Sequence, residues 1–482
     1  MKFLFNALSN IINGSANAIF ALVLPPLLIT KMSLEEYALW SYCLQTGALI
    51  GYLNLGVQTA VGRYVALYKE KNDNESILNV IRTADRILYL MFFIGILASI
   101  MLSLNIQYLV KISQQDLVLL APDVILIVSI GYCVSLLLNS YAGYFVGIRA
   151  NHVPMWINLL SKVILGFLIV IFVEKGLFFL SLIFLIVNLL AYFLSYIYWR
   201  RQNVASLISK LRHYSDSMQF IKFCLGLSVW NLGMLLVTGM NSTIVGYYSF
   251  SDVAYFTIAN GLVMALIGFV SAGLNPLIQV FTGMHANNKS KNIAAVIVHL
   301  NNVLSFLMLL FFIMYHSVND FIFTNWLTSE YVGPVSDFVN LLIISACVRV
   351  LNVPYALSLI ATGNQSKALL GALIEGSSNF ILALILCSLW GVGYLPLAMI
   401  ISSIIGTLYN VFVNMSLMKN DIPLYKLDLL SFQPVCLLFG ILFFYINPIV
   451  SYGLLSVSFI SFFYTYKGFD FSIVKVKTEK EV

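Results

Sequence analysis

Residues 157–172 read INLLSKVILGFLIVIF, a run of bilayer-grade side chains broken by a single charge, Lys162. Comparable runs recur along the whole 482-residue chain, and about 20 apolar residues are what one helix needs to cross a bilayer. The chain is 60% hydrophobic and 10% charged, with a mean hydropathy of +0.93. That composition excludes a soluble globule. The reading is an all-α, polytopic membrane protein.

Hydropathy places spans near residues 4–30, 37–62, 84–105, 117–145, 154–173, 177–199, 219–247, 253–281, 294–316, 335–361, 368–389 and 393–418. A last hairpin of shorter helices falls near 430–447 and 449–466, so the expectation is 12–14 transmembrane helices. Loop charges test this map. With the N-terminus in the cytoplasm, only Lys31, Lys111 and Lys175 lie in outer loops, and Lys162 and Arg349 lie deep within spans, whereas Arg86 and Lys222 stand at the inner ends of theirs. The other 21 of the 26 Lys and Arg lie on the inner side, as the positive-inside rule requires. Both termini are then expected in the cytoplasm.

Several classes drop out. The net charge of +6 sits in short loops and does not point to nucleic acid. The six cysteines (Cys43, Cys133, Cys224, Cys347, Cys387 and Cys436) are scattered singly through apolar segments, which fits neither a metal site nor a disulfide framework. The N-terminal "SANA" (15–18) has an A-x-A look, but Asn6, Asn10 and Asn13 interrupt the core a signal peptide would need, so an uncleaved first span is expected. No P-loop stretch occurs. No loop is long enough for a catalytic domain, so neither an enzyme, a catalytic residue nor a cofactor is expected.

A shift of about 217 residues brings the halves into weak register, matching Tyr37 with Tyr255 and Gly147 with Gly363. The expectation is two pseudo-symmetric six-helix bundles around a central cavity: residues 1–210 and 211–425, then 426–482 as hairpin and tail. Parallel repeats of this kind hold substrate between the halves and alternate access by rocking.

Amides recur inside the spans at helical spacing. Asn6, Asn10, Asn13 and Asn17 share one face of the first span; Gly47, Gly51, Asn54 and Gln58 share one of the second. Asn231, Thr238 and Asn241 follow in the seventh span, and Ser271, Asn275 and Gln279 in the eighth. Such residues can be interhelical glue, yet four whole stripes suit a hydrated cavity, because an unsatisfied amide in hydrocarbon costs several kcal/mol. Neutral amides suit the hydroxyls of sugars. Lys162 shares a face with Asn158, Ser161 and Gly166, and Arg349 one with Ser345, Asn352 and Ala356; Glu375 shares one with Gly371, Ser378 and Asn379. Two cations on polar faces suit a phosphate or diphosphate. The alternative for Arg349 is a buried ion pair with Glu375. Arg63 stands where cytoplasmic anchoring alone would put it. Glu375 is the one deep acid that this reading finds, which argues against an exporter of organic cations.

The stretch KMSLEEYALWSYCLQTGALIGYLNLGVQTAVGRYVA (31–66) resembles the second-helix signature of bacterial polysaccharide flippases, with Leu55, Gly56, Ala60 and Arg63 in its L-G-x-x-x-A-x-x-R pattern. FVGIRANHVPMW (145–156) and IATGNQSKALL (360–370) resemble the glycine-centred turns after the fourth and tenth helices. The resemblance is to the Wzx-type O-antigen flippases of the multidrug/oligosaccharidyl-lipid/polysaccharide (MOP) exporter superfamily. It departs at Asn241, where the family often has an acid, and in the extra hairpin.

The resemblance implies an inner-membrane transporter that flips an undecaprenyl-diphosphate-linked oligosaccharide, such as an O-antigen or capsule repeat unit, to the outer leaflet. Lys162, Arg349 and Arg63 would hold the diphosphate; Asn10, Asn13, Asn17, Asn54, Gln58, Asn231, Asn241, Asn275 and Gln279 would line the path of the glycan. Glu375 is the candidate for coupling to H⁺ or Na⁺. Expected partners are the lipid-linked glycan, the bilayer, and a polysaccharide polymerase with its chain-length regulator. A MATE-like cation antiporter, a membrane polymerase or ligase, and a lipid II flippase, which the physics of the sequence does not separate from a polysaccharide flippase, are the alternatives.

Overall fold

The structure is a computed structural model that describes residues 20–202, 217–274, 277–287, 290–417 and 432–468. Every regular element among them is helical. The helices are α1 (Phe20–Ile29), α2 (Leu34–Ala48), α3 (Val57–Glu70), α4 (Asn74–Leu109), α5 (Gln115–Gly147), α6 (His152–Phe172), α7 (Leu177–Gln202), α8 (Ser217–Met234) and α9 (Met240–Tyr248). They continue with α10 (Asp252–Leu274), α11 (Leu277–Ala286), α12 (Ser290–Trp326), α13 (Ser329–Ala361), α14 (Gln365–Trp390), α15 (Leu395–Leu417), α16 (Phe432–Phe444) and α17 (Pro448–Gly468). Among the described residues nine helices are long and apolar enough to cross a membrane. Leu97, Met101 and Leu104 on α4 are 63%, 66% and 74% exposed, a surface that lipid tolerates and water does not.

Each expected span falls on helix over most of its described residues, the first over 20–29 only, and the second is broken at Leu55–Gly56. The molecule divides into two compact units, Met1–Ala265 with Phe380–Leu395, and Leu266–Asn379 with Pro396–Val482. The expected domain limits at 210/211 and 425/426 fall outside the described residues. In the first unit α5 is the central helix, packed by α2, α3, α4 and α7. In the second, α12 carries α13 and the C-terminal hairpin.

The two helices of that hairpin are tied to each other by polar bonds in an apolar setting. Gln433 donates to the Ser458 carbonyl at 2.7 Å and accepts from the Ser458 hydroxyl, and Ser451 donates to the Gly440 carbonyl at 2.7 Å. Gly440 lacks the Cβ that would collide with Leu309 of α12. Small residues permit such close approach, and side-chain bonds reinforce it.

The second span is not the unbroken helix that hydropathy suggests. The acidic start does what its spacing says: Ser33 and Glu36 form a reciprocal capping box, with Ser33 N donating to Glu36 Oε2 at 2.8 Å. The α-helix then ends at Ala48, a 3₁₀ stretch runs over Leu49–Asn54, and Leu55 and Gly56 both take left-handed backbone, φ 50° and 69°. Asn54 sets this break. Its Oδ1 accepts the Gly56 amide at 2.7 Å, the local competition by which asparagine diverts a helix. Leu227 of α8 packs where a Gly56 Cβ would stand. Gly56→Ala is therefore expected to cost ~2 kcal/mol or more, from left-handed strain together with overpacking. Thermal unfolding in detergent measures this, and Leu227→Ala should recover part of it; an unchanged midpoint would mean that the break does not need glycine. The seventh span is likewise interrupted, by a π turn over Leu235–Gly239 between α8 and α9, a wide turn that often marks functional helices.

The glycine-centred turns are both Schellman closures. After α5, Arg149 N donates to Val146 O at 3.0 Å and Ala150 N to Phe145 O at 2.8 Å; after α13, Gly363 N donates to Ile360 O at 3.3 Å and Asn364 N to Leu359 O at 2.9 Å. The left-handed residue is Gly363 in one and Arg149, φ 62°, in the other. The pairing of Gly147 with Gly363 is thus two residues out of register: Gly147 is still helical and lies against α3.

Candidate functional site

The polar residues of the spans gather at two places, one in each unit. In the first unit Lys162 projects from the middle of α6. Its Nζ lies 5.1 Å from the centroid of the Phe20 ring on α1, and among the described residues no carboxylate stands within ion-pair distance of it. A lysine at mid-span costs ~2.5–3.5 kcal/mol on insertion scales, and a cation–π contact returns ~0.5–2 kcal/mol of that.

Lys162 lines three cavities at once. The first, about 410 Å³, is a groove between α1 and α6 walled by apolar side chains such as Val23, Leu27, Val163 and Phe167. The second, about 380 Å³, lies among α3, α5, α6 and α7, within the range of small-molecule sites. Gln58, Asn139, Asn158, Ser161, Asn188 and Ser195 give it polar walls. The third, about 230 Å³, is bounded by α1, α2 and α10 and includes Gln45, Ser41 and Thr257. Asn139, Asn188 and Gln45 were not singled out in the sequence, although Ser135 with Asn139, and Asn188 with Ser195, repeat at the same helical spacing as the stripes that were.

The other expected residues of this unit separate. Gly47 faces Tyr132 of α5 closely enough that a Cβ would lie 2.9 Å from that ring, while Gln58 faces the second cavity. Asn54 receives Asn231 of α8, whose Nδ2 donates to its Oδ1 at 2.9 Å. The break at Leu55–Gly56 thus dissolves the expected stripe. Arg63 is exposed on α3 with its guanidinium 4.6 Å from the Phe223 ring centroid. Asn241 is buried in α9. Asn10, Asn13, Asn17 and Asn275 lie outside the described residues, as do the side chains of Gln279 and Thr238.

In the second unit Arg349 of α13 and Glu375 of α14 form an ion pair, Nε to Oε1 at 3.0 Å, with both side chains 11% exposed. Ser403 of α15 lies beside both: Arg349 Nε is 3.2 Å from its Oγ, which is 3.3 Å from Glu375 Oε1. Ser345 Oγ is 3.1 Å from Ser403 Oγ. Arg349 Nη2 is buried without a hydrogen-bond partner among the described residues. The same face continues through Asn410, which donates to Asn352 Oδ1 at 2.9 Å, and Asn414, which accepts from Ser358 at 3.0 Å. Ser403, Asn410 and Asn414 are the α15 contribution that the sequence reading passed over. Gly406 makes room for Glu375, since a Cβ there would stand 2.8 Å from the Glu375 Cβ.

Glu375 has company as an acid within a span. Asp85 of α4 is half-buried and lies near Ser140, Tyr89 and Tyr141. It stands close to the start of the span, one turn from Arg82 and beside Arg86.

No protein-family model matches the sequence, and no curated protein matches it. In structure the chain is similar to a lipid II flippase, MurJ, in an inward closed conformation: TM-score 0.68 at 17% identity, covering 95% of this chain and 97% of that one. It is similar to an inward-facing MATE-family multidrug resistance transporter of the MOP superfamily, TM-score 0.67 at 14% identity, covering 86% of this chain and 100% of that one. It is also similar to a MOP-superfamily transporter from Pyrococcus furiosus, described by the reverse polarity of its binding pocket, with TM-score 0.58 at 13% identity and coverage of 88% and 96%. The chain has the fold of the MOP-superfamily exporters.

Proposed function

We propose that this chain is a Wzx-type flippase that carries an undecaprenyl-diphosphate-linked oligosaccharide from the cytoplasmic to the outer leaflet of the bacterial inner membrane, with both termini in the cytoplasm. The observation that supports it is Lys162: an ammonium without a carboxylate partner among the described residues, facing a cavity walled by amides and hydroxyls. An anion suits the ammonium. Each sugar hydroxyl costs a few kcal/mol to bury unpaired, and the amide-lined wall offers it partners. Gln58 would meet the glycan in that cavity. Arg349 plays a lesser part in holding the diphosphate, because Glu375 already neutralises it. Arg63, exposed midway along α3, would meet the head group on arrival. Delivery to a polymerase and its chain-length regulator would follow on the outer side.

An outward-moving anion gains ~2.3 kcal/mol per charge per 100 mV of membrane potential. Coupling through Glu375 has a definite requirement: an incoming H⁺ or Na⁺ must compete with Arg349 for Oε1. The test is a strain lacking this gene, in which lipid-linked oligosaccharide is assigned to a leaflet and surface glycan is measured. Repeat units trapped on the inner leaflet are expected. In complemented cells Lys162→Gln should reduce export about tenfold or more, the ratio of a lost charge-assisted contact, at equal protein level in the membrane. Normal export without the gene, in a strain holding no second flippase, would overturn the proposal.

A second reading, a MATE-like antiporter of organic cations, draws on Asp85 among Tyr89 and Tyr141, since a carboxylate beside aromatic rings suits an ammonium ligand. Drug efflux lost on Asp85→Asn, with glycan export intact, would move it to the front.

A further inference from the structure

We propose that the groove between α1 and α6 is a seat for the hydrocarbon chain of a polyprenyl phosphate, with the Lys162 ammonium at its side holding the phosphate. This deepens the flippase reading and rests on it for the identity of the lipid.

The groove follows one face of each helix. On α6 the lining residues Leu159, Val163, Gly166 and Val170 recur at helical spacing, and on α1 Phe20, Val23, Leu24 and Leu27 do the same. Along α6 the groove is about 16 Å long at 1.5 Å rise per residue. Gly166 gives it depth: a Cβ at that position would stand 3.4 Å from the Phe20 ring, and larger side chains would fill the floor. Val163 and Phe167 are 60% and 66% exposed, so the groove is open along its length to whatever surrounds the helix.

Lipid-facing apolar residues are ordinary on a membrane helix. What sets this face apart is its one charged member. Lys162 is the charged lining residue of the groove, and the same side chain lines the amide-walled cavity behind it. An ammonium near mid-span gains little from bulk lipid, whose phosphates lie at the surface, and it is too deep for full relief by snorkelling. A ligand with one apolar chain, one anionic joint and a polyhydroxyl extension would satisfy all three environments together: chain in the groove, phosphate at Nζ, sugars among Gln58, Asn139 and Asn188. A glycerophospholipid lacks the extension, and a free phosphate lacks the chain. The groove commits to the chain.

The experiment places a photo-crosslinking amino acid at Phe167 of the full chain, in phosphatidylcholine nanodiscs, with undecaprenyl phosphate as probe and intact mass as readout. A second crosslinker at Phe93 on α4, which is 62% exposed, reports lipid contact away from the groove. Labelling at 167 is expected to exceed that by undecaprenol about tenfold, the ratio corresponding to ~1.4 kcal/mol. Lys162→Gln should bring it down to the alcohol level, and Lys162→Arg should restore it, with labelling at 93 unchanged throughout. Equal labelling by phosphate and alcohol, indifference to Lys162→Gln, or equal competition by phosphatidylglycerol would each overturn the proposal. The assay reads binding alone. Expected labelling in a protein that exports no glycan would remove the transport reading and leave the groove; export without Lys162-dependent labelling would remove the groove and leave transport.

Discussion

Glu375→Leu is expected to destabilise the purified protein by ~3 kcal/mol or more, and adding Arg349→Met is expected to return most of that loss. The two side chains are 11% exposed and meet at 3.0 Å. Removing the carboxylate leaves the guanidinium with the Ser403 hydroxyl as its remaining partner among the described residues, in a setting where an uncompensated charge costs several kcal/mol. Removing both charges leaves no such debt, and a methionine and a leucine can fill the space that Gly406 keeps open for the pair. The measurement is a double-mutant cycle on midpoints of thermal unfolding in detergent. Additive losses would mean that the pair is not coupled in the folded protein. The cycle also separates two roles of Arg349. If the guanidinium acts only to satisfy Glu375, and Glu375 couples no ion, the double variant should export glycan as well as it folds. If Nη2, buried and without a partner among the described residues, takes a share of the diphosphate, the double variant should be stable and poor in export.

Much of the fold was legible because bilayer thickness writes itself into the sequence. An apolar run of a certain length has few alternatives to a helix, and short charged loops mark where each one ends. The interruptions were less legible. LIGYLNLGV (49–57) is as apolar as a span should be, and hydropathy carries no information about φ; the sign was the crowding of Gly51, Asn54 and Gly56, three poor helix formers within two turns. The same limit touched the site. Lys162 and Glu375 stand out in any apolar segment. That Arg349 meets Glu375 was one of two readings left open, because residues 26 positions apart on successive spans can face each other or a shared cavity. Asn54 and Asn231, 177 positions apart, were read as members of separate stripes; their meeting depends on the helix break beside Asn54, which no spacing rule contains.

Alanine at two helical glycines is expected to act with opposite signs. Gly143 of α5 lies against α3 so closely that a Cβ would stand 2.6 Å from the Gln58 carbonyl oxygen and 2.8 Å from the Val61 Cβ. Four residues on, a Cβ at Gly147 would stand 2.8 Å from the Gly62 carbonyl oxygen. These neighbours are two backbone carbonyls and the β-branched stems of Val61 and Val65, which move only with their helix, so α3 must shift to admit even one carbon, and overpacking of this kind costs ~1–3 kcal/mol. Gly268 of α10 has nothing within 4 Å of the corresponding position, and there alanine should gain up to ~1 kcal/mol from helix propensity and a less flexible unfolded chain. Gly143→Ala should therefore lower the unfolding midpoint and Gly268→Ala should hold or raise it. The functional consequence follows from what α3 carries. Gln58 reaches the amide-walled cavity from this helix and Arg63 stands one turn beyond it, so displacing α3 should reduce export beyond the loss of folded protein. Gly147→Ala, which presses on the same helix at Gly62 and Val65, should reproduce the effect. If both variants keep their stability but lose export, the close approach of α3 and α5 is a positioning device for Gln58. If they keep both, the small-residue contact between these helices is not a constraint on the fold.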